Sequence, residues 1–190
     1  MVLVTGAPGS GKSTLGRELS QYLRVPFLAR DDIRGGLLLS AGAWTEELRR
    51  IPSGEEAVET FLATVEGLVA RDVSCVVEYV IRRHRPADLD RLVALGDCVV
   101  IMTGCDDPSS RVVERNSVDH LIANRAVLDA IGVSSVAEHT AALVKRMEQV
   151  HDEMMLEFAL PVLEVDTTSG YRPTIDEIVA FATGPARSDH

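Results

Sequence analysis

Aromatic side chains are scarce in this chain of 190 residues: 4%, with one tryptophan, three tyrosines and four phenylalanines. A core without them must be built from Val, Leu, Ile and Ala, as buried parallel strands and their covering helices usually are. Cysteine is also sparse, and Cys75, Cys98 and Cys105 form an odd set without metal-ligand spacing. Cys75 and Cys98 lie in Val-rich runs, so the set reads as reduced core thiols of a cytoplasmic protein and not as a disulfide framework. A basic excess is missing too. The formal net charge is −10, which disfavours a surface that grips long nucleic acid through its phosphates. Local basic clusters (Arg82-Arg83-His84-Arg85, and Arg111 with Arg115) still leave room for a small anionic ligand in a cleft. No apolar run approaches membrane-spanning length, and with an apolar strand beginning next to Met1 no signal peptide is expected.

What remains is ordinary globular composition, 46% apolar and 25% charged, at a length suited to one domain. We expect that domain to span 1–184, with a frayed tail at 185–190. The stretch that organises it is Gly6-Ala7-Pro8-Gly9-Ser10-Gly11-Lys12-Ser13-Thr14, directly after the apolar run Met1-Val2-Leu3-Val4. A buried strand runs in and an amphipathic helix carrying Leu15, Leu19, Tyr22 and Leu23 runs out. Glycines without Cβ let successive backbone N–H groups approach polyphosphate oxygens, and the helix N-terminus adds partial positive charge. Gly9, Ser10, Gly11, Lys12, Ser13 and Thr14 are therefore the expected nucleotide contacts. Lys12 would reach the β- and γ-phosphates and the Ser13 hydroxyl would ligate Mg²⁺. The alternative is a glycine-rich turn that caps a helix and holds no ligand.

Further along, Pro26-Phe27-Leu28-Ala29 reads as a short buried strand that delivers Arg30-Asp31-Asp32-Ile33-Arg34 to its carboxyl end, where ligands bind in open α/β sheets. Asp31 and Arg34 on one helical turn could supply a base and a charge partner; the competing reading makes Asp31 or Asp32 a helix N-cap. Residues 35–53 are interrupted by Gly35, Gly36 and Gly42 and carry Trp44. They could form an acceptor-binding wall or lid, or a short surface helix anchored by the tryptophan. An amphipathic helix over about 55–71 leads into Val73 to Ile81, a buried strand with a single acid, Glu78. A carboxylate there resembles the second nucleotide-site motif that holds Mg²⁺, since unpaired burial would be costly. Of the basic residues 82–85, one is expected to face the acceptor and most to be solvated. Arg111 and Arg115 share a helix face; one could stack on a nucleotide base while the other reaches the transferring phosphoryl group, or both could belong to a solvated, ion-paired face. Residues 116–132 are polar and broken, as a mobile cover would be. A long helix is expected from 134 to 160, then a strand over 161–168, and a Thr174-to-Glu177 capping box opening the last helix.

Taken together, Gly6 to Thr14, Arg30-Asp31-Asp32-Ile33-Arg34 and the pair Arg111 and Arg115 resemble the P-loop kinases that include chloramphenicol phosphotransferase, zeta toxins and polynucleotide 5′-kinases. The resemblance implies a three-layer α/β fold, with a five-stranded parallel sheet, helices on both faces and a mobile lid. It implies that Asp31 accepts the proton of the acceptor hydroxyl, and that Arg111 and Arg115 serve the base and the transferred phosphoryl group. Where those polynucleotide kinases often carry Asp, this chain has Glu78. The expected activity is transfer of the γ-phosphoryl group of ATP or GTP, with Mg²⁺, to a hydroxyl of a small molecule. An antibiotic is the favoured acceptor, by analogy with compact, acidic, single-domain phosphotransferases, and a nucleoside, sugar or polynucleotide 5′-hydroxyl is the alternative. A regulatory NTP switch that engages a partner protein is the non-enzymatic reading.

Overall fold

The computed structural model describes residues 1–40, 53–117, 135–154 and 157–184. Five parallel strands form one sheet in the order β2-β3-β1-β4-β5. They are β1 (Val2–Gly6), β2 (Phe27–Ala29), β3 (Val76–Glu78), β4 (Val99–Gly104) and β5 (Val162–Asp166). The described helices are α1 (Lys12–Leu23), α2 (Arg30–Ser40), α3 (Gly54–Val69), α4 (Pro86–Val93), α5 (Pro108–Ser117), α6 (Val136–Glu153) and α7 (Ile175–Ala182).

β1 is central and buried along its whole length, with Leu3 paired to Val77 on one side and Val100 on the other. Its side chains alternate between two apolar layers. Leu3, Val77 and Val100 pack with Phe61, Leu62 and Val65 of α3 and Leu92 of α4. Val2, Val4, Val76, Ile101 and Val165 pack on the opposite face with Leu15 and Leu19 of α1 and Ile178 of α7. Each fully buried aliphatic side chain contributes about 1.5–3 kcal/mol, so these two layers, not aromatic stacking, carry the fold. A parallel sheet covered on both faces, expected from the Val-rich runs, is what forms. The last helix opens on the expected reciprocal cap between Thr174 and Glu177.

Four local expectations need correction. The third strand is shorter than 73–81, although Tyr79 N–H still donates to the Val4 carbonyl beyond its end. Gly35 and Gly36 do not interrupt helix formation: α2 starts at Arg30 and runs through both, held by Ile33 and Leu38 of its inward face. Tertiary burial there outweighs the roughly 1 kcal/mol that each glycine costs a helix. The long helix stops at Glu153 and not near 160, because Arg82 bridges Met154 and Arg83 N–H donates to the Glu153 carbonyl at 2.8 Å. The basic run is paired in part, while Arg83 and His84 remain exposed. Arg82 pairs with Glu153 at 2.7 Å, Arg83 Nε donates to the Met154 carbonyl, and Arg85 pairs with Asp88 at 2.9 Å. Trp44, Gly42 and residues 118–132 of the cover expected over 116–132 lie outside the described residues, as does the tail 185–190; Asn116 and Ser117, expected to begin that cover, instead end α5. No described helix is long and apolar enough to cross a membrane.

Candidate phosphoryl-transfer site

The loop between β1 and α1 is built by close contacts that only glycine permits. Gly9 and Gly11 both sit at φ of 81°, in the left-handed region. A Cβ on Gly9 would lie 2.2 Å from the Pro108 carbonyl oxygen, and one on Gly11 would lie 2.9 Å from Thr167 Oγ1. The loop is thus seated on the start of α5 and on the residue following β5. Ser10 closes it from within, its N–H donating to the Ala7 carbonyl at 3.1 Å. Ser10 Oγ lies 2.7 Å from Thr103 Oγ1, which itself donates to the Thr5 carbonyl, so Ser10 is the donor of that pair. No side chain caps α1 at Gly11 and its first turn carries no acid. The N–H groups at that helix start are left for a ligand anion.

At the head of α1, two side chains converge on one carboxylate oxygen. Ser13 Oγ donates to Glu78 Oε1 at 3.0 Å and Lys12 Nζ stands 3.8 Å from the same atom. Lys12 also donates to the Ala7 carbonyl at 3.3 Å. Register explains the meeting: Glu78 ends β3 between Val4 of β1 and Ala29 of β2, at the carboxyl edge beside the loop. Burial pushes the Glu78 carboxyl above its ordinary value, opposed by the Lys12 ammonium and the Ser13 hydroxyl and reinforced by the Asp31 carboxylate.

Asp31 itself is 77% exposed and free to meet a ligand. Its ion-pair partner is Arg30 at 2.8 Å, where Arg34 had been expected. Asp32 turns away to Arg17, 2.7 Å distant, whose guanidinium also lies over the Phe27 ring. Arg34 occupies the next turn of α2, four residues from Arg30 on one face, and its Nε is buried without a hydrogen-bond partner. Behind this wall Tyr79 donates its hydroxyl proton to Asp88, which also accepts from Arg85. Burial, then that bond to a carboxylate, pushes the Tyr79 phenol well above its usual range, so it stays protonated.

On the other side of the loop, a cleft of about 430 Å³ is lined by Gly9, Gly11, Lys12, Ser13, Thr14, Arg111 and Glu114. Arg111 does reach the phosphate side. Its guanidinium donates to Thr167 Oγ1 at 2.8 Å and to the carbonyls of Thr167 and Thr168. Thr167, which the sequence reading passed over, is 6% exposed and its hydroxyl donates to the Ser10 carbonyl at 2.9 Å. Its only sequence signal was its place at the carboxyl end of an apolar strand. Arg115 lies on α5 one turn beyond Arg111, and its side chain falls outside the described set. Of the expected nucleotide contacts, Lys12, Ser13 and Arg111 thus lie around one loop together with the expected metal ligand Glu78, and Asp31 and Arg34 lie on α2.

No protein-family model matches the chain, and no curated protein matches it either. Solved structures do. A putative kinase from Chloroflexus aurantiacus J-10-fl superposes with a TM-score of 0.63 at 24% identity, over 95% of this chain and 92% of that one. A sugar kinase from Janibacter sp. HTCC2649 gives 0.59 at 15% identity, over 100% and 98%. A gluconokinase from Sinorhizobium meliloti 1021 gives 0.56 at 16%, over 97% and 92%. The fold is that of P-loop small-molecule kinases: an α/β sandwich around a parallel sheet ordered 2-3-1-4-5.

Proposed function

We propose that the chain is a small-molecule kinase that moves the γ-phosphoryl group of ATP or GTP to an acceptor hydroxyl. The observation that carries this reading is the convergence of Lys12 and Ser13 on Glu78 at the head of a glycine-built loop. Among described residues no group of three or more acidic, His or Cys side chains could hold a metal. Mg²⁺ does not require one, since it takes one or two protein oxygens and fills its octahedron with water and phosphate. The hard oxygens of Ser13 and Glu78 fit that demand, and the burial of Glu78 gives its charge a reason to seek a cation. Held by Ser13 and Glu78, Mg²⁺ would supply positive charge to offset that of the phosphates.

The chain's own groups do the rest. Backbone N–H groups of Gly9 to Thr14 and the Lys12 ammonium hold the phosphates and meet the charge that develops on the transferred group. Asp31 orients the acceptor hydroxyl and takes its proton. Arg111 braces the loop and stands at the cleft edge for the nucleotide, and Arg115 is assigned to the phosphoryl group on its position in α5. The sugar kinase and gluconokinase among the structural neighbours favour a polyol-like acceptor. No feature of the site singles out an antibiotic, and the charge balance still disfavours a polynucleotide.

The test is transfer of labelled γ-phosphate from Mg·ATP and Mg·GTP to a panel of polyols, sugars and nucleosides, with Asp31→Asn beside the wild type. Loss of a general base predicts a fall of about 10²–10⁴ in kcat, with nucleotide affinity within about threefold. A variant that transfers at the full rate would remove Asp31 from the chemistry, and nucleotide binding without transfer to any hydroxyl would favour the regulatory switch.

A further inference from the structure

The apolar layer that α3 and α4 cover ends before the sheet does. On β4, Val100 is fully buried, but Met102, two residues on and on the same face, is only half-buried. Met102 stands in register between Thr5 of β1 and Glu164 of β5. Thr5 is fully buried, yet its Oγ1 has no hydrogen-bond partner among the described residues, while Glu164 is exposed. Met102 and Glu164 line a cavity of about 480 Å³, which Met154 at the end of α6 and Pro108 at the start of α5 also border. Ala7 and Ser10 join it to the nucleotide loop, but Lys12, Ser13, Thr14 and Arg111 line only the phosphate cleft, so the two spaces are separate.

The charges on its walls are one-sided. Asp106, Glu164 and Asp166 line it, against the single imidazole of His151. Asp166 is answered, since its carboxylate accepts from Thr168, which together with Arg172 and Arg111 holds it below the usual carboxylate range. Asp106 and Glu164 form no ion pair with a described residue. An acidic surface alone would simply be hydrated. Here the two carboxylates border an apolar recess of ligand-binding size, and the buried hydroxyl of Thr5 on the same sheet face shows that its floor is incompletely satisfied.

We propose that this cavity binds a small amphipathic cation, a primary amine on an apolar ring body, with the ammonium at the Asp106 and Glu164 rim and the body against Met102 and Met154. Thioethers are polarisable and adapt their shape to a ring, and carboxylates without a cation favour a positively charged ligand. The site does not depend on phosphoryl transfer. It does adjoin the support of the nucleotide loop, because Cys105 on its wall donates to the Gly9 carbonyl at 3.5 Å.

Calorimetric titration and thermal melts with tryptamine, tryptophol and indole-3-propionate test it, since the three share a ring body and differ in charge. Tryptamine should bind once per chain, about tenfold or more tighter than tryptophol, with indole-3-propionate weaker still. Glu164→Gln combined with Asp106→Asn should bring tryptamine down to the level of tryptophol and leave tryptophol nearly unchanged. Each single variant should show part of that loss, which keeps the test decisive should the double variant fail to fold. Tryptamine should also still bind when the nucleotide loop is saturated with a non-hydrolysable Mg·ATP analogue. Equal affinity for the three compounds, undiminished tryptamine binding in the variants, or no binding of any of them would overturn the proposal. Loss of tryptamine binding in the presence of the analogue would overturn it too, by making the cavity part of the nucleotide cleft.

Discussion

An added methyl at Gly9 would lie 2.2 Å from the Pro108 carbonyl, whereas one at Gly35 or Gly36, in the helix that carries Asp31, would meet none of the described residues within 4 Å. The two sides of the cleft differ in the same way throughout. On the nucleotide side, Ser10, Thr103, Thr167 and Arg111 form a continuous set of hydrogen bonds reaching from β1 to the residues beyond β5. On the acceptor side, positions are set by ion pairs between partly exposed side chains, Arg30 with Asp31 and Arg17 with Asp32. Such pairs contribute little stability and rearrange readily. A triphosphate is the same for every kinase of this fold, so its cradle can be rigid. An acceptor differs from one enzyme to the next, and a loosely packed edge can change side chains without disturbing the sheet.

The contrast predicts unequal sensitivity to mutation. Gly9→Ala should be the most damaging change on the nucleotide side. It adds about 1–2 kcal/mol of left-handed strain, before the contact with Pro108 is counted. Mg·NTP affinity should fall by more than about tenfold, and the melting temperature by about 2–4 °C for each kcal/mol lost in a domain of this size. Gly35→Ala, by contrast, should stabilise the protein by up to about 1 kcal/mol, because it enters open space within a helix. Equal losses at the two glycines in thermal melts would erase the distinction drawn between the two sides.

Thr167→Val comes next. It keeps the shape and removes the hydroxyl that accepts from Arg111 and donates to the Ser10 carbonyl. Leaving those partners unmet should cost about 1–3 kcal/mol and raise the KM for nucleotide severalfold, with the acceptor KM unmoved. An acceptor KM that rises instead, in steady-state assays, would mean the brace serves the wrong side.

Glu78→Gln tests the electrostatics and has the smallest expected effect. Because burial raises its folded-state pKa, the folded protein binds a proton more readily than the unfolded chain. Ligand-free stability attributable to this group is thus greatest at low pH and declines as pH rises from 4.5 through the folded value. At neutral pH the Gln variant should melt about 1–3 °C above the wild type, with the gain vanishing on acidification, while its response to Mg·NTP weakens. A variant less stable than wild type at every pH would show that the Lys12 and Ser13 contacts outweigh desolvation.

The nucleotide side was also the more legible one in the sequence, for a physical reason. Gly6 to Thr14 is a local motif whose meaning depends on backbone conformation over nine consecutive residues, and the strand before it and helix after it are signalled by periodicity. Glu78 could be read because a single acid in a Val-rich strand stands out. Thr167 could not, since its role comes from contact with Ser10, 157 residues away in the chain. The same holds for Arg82 and Arg83, whose side-chain partners at the end of α6 and just beyond it lie 71 residues away. Pairing among neighbours was misjudged as well: a helical turn placed Arg34 opposite Asp31, but the side chain of Arg30 reaches it first. Charged side chains with several candidate partners are decided by packing details that spacing does not contain.

The central claim is that the loop after β1 grips a triphosphate through Lys12. Calorimetric titration with Mg·ATP and Mg·GTP, on the wild type and on Lys12→Ala, tests it most directly. One nucleotide should bind per chain, with affinity reduced by about 100-fold or more in the variant, as expected when a charge-assisted contact to phosphate is lost. Absence of heat with the wild type, or equal affinity in the two proteins, would contradict it.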